Sequence, residues 1–253
     1  MKLMAYEARV IHLQRELVNL GFYDSLRALN WMIETMNANN GYARDDGRHY
    51  YYHLVDATQD LINHGVKKQS ILTACILHDA VEDIKGVTVE GIASLFGEDV
   101  AFYVKGVTKD PTINYKKGEN VKAQLDEMLP YYEICLIKTA DRKHNFATLG
   151  NTKPEKELRK ALETEKYFLP FFKQARKKYP EYSAYFHSAK TTIVPHLEKI
   201  KKYHRDVTAL QNKLAKIKEM LHYEMVSCGN VEQASRIEEL LEQTKAIIKG
   251  DVV

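Results

Sequence analysis

Four polar side chains interrupt an apolar stretch of the sequence at positions that the core of a helix would exclude. The stretch ILTACILHDAVED places His78 and Asp79 directly after an apolar run, and Glu82 and Asp83 follow one helical turn later. An unpaired charge away from water is strongly destabilising, so such a group needs a partner or a role. The pattern indicates either a solvated helix end or a site that uses these residues.

Two further residues, His53 and Asp141, could join His78 and Asp79 as ligands of one metal ion. Two imidazoles and two carboxylates suit a divalent transition ion such as Mn²⁺, Fe²⁺ or Zn²⁺ better than Ca²⁺, which prefers oxygen. Adjacent side chains on a helix point about 100° apart, so His78 and Asp79 share an ion only if it lies beside their helix. Spacing alone leaves open the alternative that each histidine is a structural residue.

The rest of the sequence predicts helices that could carry these ligands. Apolar residues recur at steps of three and four from Leu3 to Leu20, and Asp24 could cap a second helix. Thr88 favours a helix start and Gly97 a helix end. Further helices are predicted at residues 50–64, 67–83, 88–96, 98–107, 120–131, 133–148 and 154–178, with a loop at residues 37–47.

No strand pattern is convincing, and YEICLIKTA, the nearest candidate, continues into polar residues at helical spacing. We therefore predict an all-α protein. From about His196 the pattern becomes that of a helical hairpin or coiled coil, with apolar residues at heptad spacing from Ile200 to Leu221 and again after the sequence SCGN. The hairpin at residues 196–253 could be a passive lid on the domain at residues 1–195. We favour the alternative, a homo-oligomerisation element.

The composition is that of an ordinary globular protein, with 45% hydrophobic and 28% charged residues. A net charge of +3 is too mild to indicate a nucleic-acid partner. Cys75, Cys135 and Cys228 form no CxxC pair, which favours a reducing compartment. Early charges argue against a signal peptide, and no apolar run approaches the roughly 20 residues of a membrane span. We expect a cytoplasmic protein without a membrane partner.

Several motifs occur in one order along the chain, and together they resemble the HD superfamily of metal-dependent phosphohydrolases. The closer likeness is to the alarmone hydrolase domain of the RelA/SpoT homologues, including the small single-domain hydrolases. The matching segments are Arg44–Gly47–Tyr50–His53, Leu77–Asp83, Phe96–Gly97, Gly106–Lys109 and Ile137–Asn145. This family-like core spans residues 44–179 and implies an HD-domain helical bundle.

The resemblance also implies roles for the polar residues that follow the apolar run, at positions 78, 79, 82 and 83. Glu82 and Asp83 match the family pair that activates the attacking water, since a bound divalent ion lowers the pKa of water and a carboxylate can take its proton. Two acids at a helix C-terminus oppose the helix dipole, which argues against a mere helix end. The implied ligands of Mn²⁺, or of another divalent transition metal, are His53, His78, Asp79 and Asp141.

Arg44 and Asn145 match family positions that hold the nucleotide, and Thr148 lies one turn beyond Asn145. Tyr50 could line the pocket or simply pack. Arg142, His144 and Lys138 are interpreted as supporting residues.

The sequence departs from the family pattern near the expected substrate site. Asp45 and Asp46 follow Arg44 where the family often has a basic residue, and Ala147 stands where an arginine is common. The loop at residues 110–120 could offer Tyr115, Lys116 and Lys117 as substitute contacts, and a merely solvated loop is an equal alternative.

The resemblance implies hydrolysis of the 3′-pyrophosphate of (p)ppGpp to GDP or GTP and pyrophosphate. The departures motivate an alternative nucleotide substrate, such as an adenine alarmone, a 3′-phosphorylated dinucleotide or an NADPH-like nucleotide. A third hypothesis is a nucleotide-sensing regulatory protein, against which the complete set of ligands and acids argues.

Overall fold

The computed structural model describes residues 5–227 and 231–249, and within these ranges the chain is helical with no strand. The predicted all-α class is confirmed. The helices are α1 (Tyr6–Asn19), α2 (Tyr23–Thr35), α3 (Tyr51–Asn63), α4 (Gln69–Leu77), α5 (Ala80–Asp83), α6 (Val89–Phe96), α7 (Glu98–Val107), α8 (Gly118–Met128), α9 (Tyr132–Ala147), α10 (Pro154–Glu163), α11 (Leu169–Lys178), α12 (Ser183–Ser227) and α13 (Val231–Lys249).

The chain divides into two compact units, Met1–Glu198 and Lys199–Val253. Helices α1 to α11 lie in the first unit, and α13 lies in the second. The assignment of a hydrolase domain and an oligomerisation element to two such parts stays a prediction. Cys228 and the rest of the predicted turn up to Asn230 lie outside the described residues.

Helix α4 forms the centre of the first unit. Every residue from Ile71 to Leu77 is fully buried, as expected of a helix that is apolar on all sides. Helices α2, α3, α7 and α9 pack around it. This arrangement brings α3 and α9 beside the C-terminal end of α4, where the apolar run meets the polar residues. Cys75 in α4 and Cys135 in α9 are buried free thiols.

Several predicted helix boundaries agree with the structure. The Thr88 hydroxyl caps α6 by accepting a hydrogen bond of 3.1 Å from the Gly91 amide. Gly97 has a φ of 91°, the conformation that ends α6 and that few other residues adopt. The segment that includes YEICLIKTA is helical, and the helix predicted from Pro154 runs to Lys178 with a π-helical segment at Thr164–Phe168.

The prediction of a single helix at residues 67–83 is wrong, because the helix is interrupted at His78 and Asp79. The His78 Nδ1 donates a hydrogen bond of 2.7 Å to the Cys75 carbonyl, which a continuous helix would pair with the Asp79 amide. Asp79 adopts φ −99° and ψ −2°, and α5 starts after it. The two side chains therefore lie at a helix break, where their directions are not fixed by helical geometry.

One smaller boundary prediction is also wrong. Asp24 lies in the first turn of α2, which begins at Tyr23, so it is not the capping residue. Its carboxylate pairs instead with Arg27 at 3.1 Å. Helix α12 begins at Ser183 and continues through the change of sequence pattern near His196. Among the described residues, no helix is both long enough and apolar enough to cross a membrane.

Helices α7 and α9 pack closely at Gly106, where a Cβ atom would collide with the buried side chain of Ile134. We expect Gly106→Ala to lower the free energy of unfolding by about 1–3 kcal/mol, the usual effect of overpacking a core. Urea unfolding measures this change. Gly91→Ala in α6 is the matched control, because its Cβ would meet only the Thr88 hydroxyl at 3.6 Å. Alanine raises helix propensity at both positions, so equal stability changes in the two variants would contradict the prediction.

Candidate metal centre

Three helices bring the four predicted metal ligands together at the C-terminal end of α4. His53 lies in the first turn of α3, His78 and Asp79 lie at the break between α4 and α5, and Asp141 lies in α9. His53 and His78 are buried, with 1% and 3% of their surface exposed. The residues are far apart in sequence, and the packing of α3 and α9 on α4 places them at one point.

The potential ligand atoms of these side chains face one another. Atoms of His53, His78 and Asp79 lie within 4.8 Å of each other. The two imidazole Nε2 atoms are 3.2 Å apart, and the Asp79 Oδ2 lies 3.0 Å from that of His78 and 3.7 Å from that of His53. The Asp141 Oδ1 lies 3.5 Å from the His53 Nε2 and 3.7 Å from the His78 Nε2.

The electrostatics of the cluster favour a bound cation. Burial lowers the pKa of His53 to about 4, so its imidazole is neutral and can be a ligand at neutral pH. Burial also lowers the pKa of His78, but Asp79 and Asp141 outweigh it and raise that pKa well above the usual range. Although burial opposes it, His78 lowers the pKa of Asp79, and Lys138 does the same for Asp141. Two ionised carboxylates and two inward-facing imidazole nitrogens fit a divalent transition ion.

Further side chains orient the two carboxylates. The Tyr50 hydroxyl donates a hydrogen bond of 2.7 Å to the Asp79 Oδ2. The Asn145 amide donates to the Asp141 Oδ1, and the buried Lys138 Nζ lies 3.2 Å from the Asp141 Oδ2. Such contacts fix the direction of a ligand and tune its charge.

The acidic pair lies in α5, directly after the break. The Glu82 Oε1 accepts a hydrogen bond of 2.6 Å from the Lys109 amide, and its Oε2 lies 2.9 Å from the Lys109 Nζ. Burial raises the pKa of Asp83, and the negative charges of Asp79 and Glu82 raise it further. A carboxylate with a raised pKa is better matched to proton transfer near neutral pH than an ordinary one.

A cavity of about 400 Å³ opens beside the cluster. Asp79, Glu82, Asp83 and Asp141 line it, and so do all four residues predicted to bind the substrate: Arg44, Tyr50, Asn145 and Thr148. The Arg44 guanidinium donates hydrogen bonds of 3.0 Å to the Asn145 Oδ1 and to the Thr148 hydroxyl. It also lies 5.4 Å from the centre of the Tyr50 ring. The four side chains thus form one wall, although three segments of the chain contribute them.

The supporting residues have identifiable partners. The Arg142 guanidinium lies 2.9 Å from a Glu163 carboxylate oxygen and 3.5 Å from the centre of the Phe168 ring, so it anchors the segment after α10 to α9. His144 contacts His53, and its Nε2 lies 3.3 Å from the Asp56 Oδ2.

Part of the positive charge of the cavity is not evident from the sequence. The lining includes Lys109, Lys156 and Lys160. Lys156 and Lys160 are four residues apart, so a helix at residues 154–178 places them on one face. The sequence does not show that this face meets the metal cluster. Tyr115 and Lys116, two of the possible substitutes for missing charge, line a different cavity beside Tyr167.

Comparison with known proteins places these features in a family. A family model of the HD domain matches residues 28–177, more than half of the chain. The chain is 32% identical over 139 residues to the bifunctional (p)ppGpp synthase/hydrolase SpoT of Escherichia coli, which covers 53% of this chain and 20% of SpoT. It is 36% identical over 132 residues to a probable guanosine-3′,5′-bis(diphosphate) 3′-pyrophosphohydrolase of Synechocystis, which covers 50% of this chain and 17% of that protein. The chain therefore spans about a fifth of the length of these curated relatives.

A solved structure provides a comparison of the fold. The chain is similar to a metazoan orthologue of SpoT that hydrolyses ppGpp, with a TM-score of 0.51 and 19% sequence identity over 72% of this chain and 95% of that one. At this identity, the likeness shows a common fold. The resemblance inferred from the motifs is thereby confirmed. The chain belongs to the HD-domain family, which implies a divalent metal held by histidine and aspartate side chains.

Proposed function

We propose that the protein is a metal-dependent phosphohydrolase that removes the 3′-pyrophosphate of the guanosine alarmones (p)ppGpp. The observation that carries this proposal is the lining of the cavity, which combines Asp79 and Asp141 of the cluster, the acidic pair, and a set of cationic and hydrogen-bonding side chains. The names of the E. coli and Synechocystis relatives support this choice of substrate.

His53, His78, Asp79 and Asp141 would hold the metal, and we propose Mn²⁺ for a mixed set of nitrogen and oxygen ligands. A divalent ion, when bound, supplies Lewis acidity towards water and phosphate oxygens. Asp83 accepts the proton of the attacking water at its carboxylate, and its raised pKa suits that step. Glu82 raises the proton affinity of Asp83 through its negative charge and is itself fixed by Lys109.

The wall formed by Arg44, Tyr50, Asn145 and Thr148 binds the nucleotide. Arg44 is already held by Asn145 and Thr148, so its planar guanidinium is oriented towards a phosphate or a base. Lys109, Lys156 and Lys160 neutralise phosphate charge from other sides of the cavity. The products of the reaction are GDP or GTP and pyrophosphate.

One observation favours a second candidate substrate. Asp45 lines the cavity and pairs with Lys156 at 3.0 Å, so a carboxylate occupies a position where the family often has a cation. A negative charge there reduces the attraction for a highly charged guanosine tetraphosphate. It therefore favours a less charged nucleotide, such as a phosphorylated dinucleotide of the NADPH kind.

The proposed activity is tested by incubating the Mn²⁺-loaded protein with ppGpp, pppGpp, their adenine counterparts and NADPH, followed by chromatography of the products. We expect GDP and GTP to appear together with pyrophosphate. Release of phosphate from NADPH alone would select the second candidate. Binding of ppGpp without turnover would indicate a nucleotide sensor, and the hydrolase proposal would have to be abandoned.

The same chain carries a surface suited to self-association. Tyr203, Leu210 and Ile217 recur every seven residues along α12, and each is more than half exposed. Heptad spacing of exposed apolar residues is typical of a helix that pairs with another copy. We infer a homo-oligomer assembled through this stripe.

Light scattering of the full chain and of a chain that ends at Glu198 tests the inference about assembly. We expect a higher subunit count for the full chain and a monomer for the shortened one, because the stripe lies after residue 198. Replacement of Leu210 and Ile217 by lysine in the full chain should have the same effect as the truncation. Equal subunit counts in all three proteins would remove the stripe from assembly.

A further inference from the structure

A chain of side chains runs from the metal cluster to the first helix of the protein. The His53 Nδ1 lies 2.7 Å from the His144 Nδ1, on the side of His53 that faces away from the cluster. The His144 Nε2 lies 3.3 Å from the Asp56 Oδ2. The same oxygen accepts a hydrogen bond of 2.7 Å from the Arg9 guanidinium of α1. Four residues from α1, α3 and α9 thus form one series of polar contacts.

The distances restrict where the protons lie. Two Nδ1 atoms 2.7 Å apart form a hydrogen bond only if one carries the proton and the other does not. An ionised carboxylate only accepts hydrogen bonds, and His144 together with Arg9 lowers the pKa of Asp56 although burial opposes this. Asp56 therefore favours the form of neutral His144 that has its proton on Nε2. The His144 Nδ1 is then an acceptor, and His53 must donate to it.

This proton arrangement determines what His53 presents to the metal. A neutral imidazole with its proton on Nδ1 has a lone pair on Nε2, and that atom faces His78, Asp79 and Asp141. The reverse arrangement would put a proton on the His53 Nε2, directed at Asp141. That form of His53 cannot be a metal ligand through Nε2.

We propose that Asp56, held by Arg9, is a positioning residue that acts through His144 to keep the His53 Nε2 unprotonated and available to a divalent cation. The proposal rests on the metal site of the proposed function but not on the identity of its substrate. It assigns a role to α1, because Arg9 holds the outer end of the series from that helix. Residues that orient a ligating histidine in this way usually affect metal affinity by about 10–100-fold.

Proton positions can be read directly in the full, metal-free chain labelled with ¹⁵N-histidine. Two-bond nitrogen–proton correlations distinguish an imidazole with its proton on Nδ1 from one with its proton on Nε2, and single substitutions assign the signals. We expect the Nδ1–H form for His53 and the Nε2–H form for His144. An Nε2–H form of His53 in the wild-type chain would overturn the proposal. This outcome does not depend on whether any variant folds.

Metal affinity provides the second measurement, by titration calorimetry of Mn²⁺ into the full chain. Arg9 and His144 contact the same Asp56 oxygen, which an asparagine could replace with its amide oxygen, so the test uses alanine. Asp56→Ala removes the acceptor of the His144 Nε2 and should weaken Mn²⁺ binding at least tenfold and populate the Nε2–H form of His53. Asp56→Glu only accepts and should keep affinity within about threefold of the wild type. Asp60→Ala, one turn further along α3, is the matched control, because its carboxylate pairs with Lys143 and lies outside the series.

The outcomes separate this proposal from the proposed function. Unchanged Mn²⁺ affinity in Asp56→Ala, or a loss of affinity with His53 still in its Nδ1–H form, would overturn the role of Asp56. A loss of affinity in Asp60→Ala equal to that in Asp56→Ala would also overturn it. A wild-type chain that binds no Mn²⁺ would contradict the metal site, whereas the proton positions would still test the series of contacts.

Discussion

Asp79→Ala should abolish bound metal and catalytic turnover while leaving the helical content of the protein unchanged. The Asp79 Oδ2 is 3.0 Å from the His78 Nε2 and 3.7 Å from the His53 Nε2, so its removal opens one side of the ligand set. The helices themselves are stabilised by the aliphatic packing around α4, and Asp79 is not one of the buried apolar residues of that core. Far-ultraviolet circular dichroism and elemental analysis measure the two effects separately.

The stability of the Asp79→Ala variant should stay close to that of the wild type in the absence of metal. The substitution relieves repulsion between the Asp79 and Asp141 carboxylates, because both carboxylates lie beside the imidazoles of His53 and His78. It also removes the hydrogen-bond acceptor of Tyr50, and this loss opposes the gain. With saturating Mn²⁺, only the wild type should show a rise in melting temperature, since only it gains binding free energy in the folded state.

Asp45→Ala is the matched control for this experiment, because it removes a carboxylate that lines the same cavity without touching the cluster. It should retain the metal content of the wild type. Undiminished metal in Asp79→Ala, or an equal loss in both variants, would contradict the assignment of Asp79 as a ligand.

The sequence grouped four side chains that lie together in the structure, but it did not predict the backbone that presents them. His53, His78, Asp79 and Asp141 could be selected because their residue types match one kind of ion, and their motifs match one family. A helix was nevertheless predicted through His78 and Asp79. The competing interaction is the hydrogen bond from the His78 side chain to the Cys75 carbonyl, which helix propensity does not include.

The parts of the site that escaped prediction depend on tertiary packing. Lys156 and Lys160 line the cavity only because α10 packs beside the end of α9, and no local pattern indicates this contact. Asp56 shares a helix face with other polar residues, such as Gln59 and Asp60, so the local pattern does not single it out. Its proposed role depends on His144, which is 88 residues away in sequence. Spacing along the chain carries little information about contacts of this length.

Asp83→Asn should retain bound metal and substrate but lose turnover by a factor on the order of 10² or more, the usual contribution of a general base. An amide has nearly the shape of the carboxylate but cannot accept the proton.

Glu82→Gln should also lose turnover on the same order, because it removes the charge beside Asp83 and the ion pair with Lys109. Single-turnover kinetics at saturating substrate, with metal content measured in parallel, separate chemistry from binding. Glu90→Gln, in the first turn of α6, is the matched control and should behave like the wild type.

The pH dependence of turnover distinguishes the two acids. The negative charge of Glu82 contributes to the raised pKa of Asp83, after burial and Asp79. A general base works only when deprotonated, so activity rises with pH through the pKa of Asp83. Removing the charge of Glu82 lowers that pKa, and the acidic limb of the profile should therefore move to lower pH in Glu82→Gln. A limb that stays in place in Glu82→Gln, or wild-type turnover in Asp83→Asn, would take the proton-transfer role away from Asp83. Survival of turnover in both variants would end the case for either residue as the base.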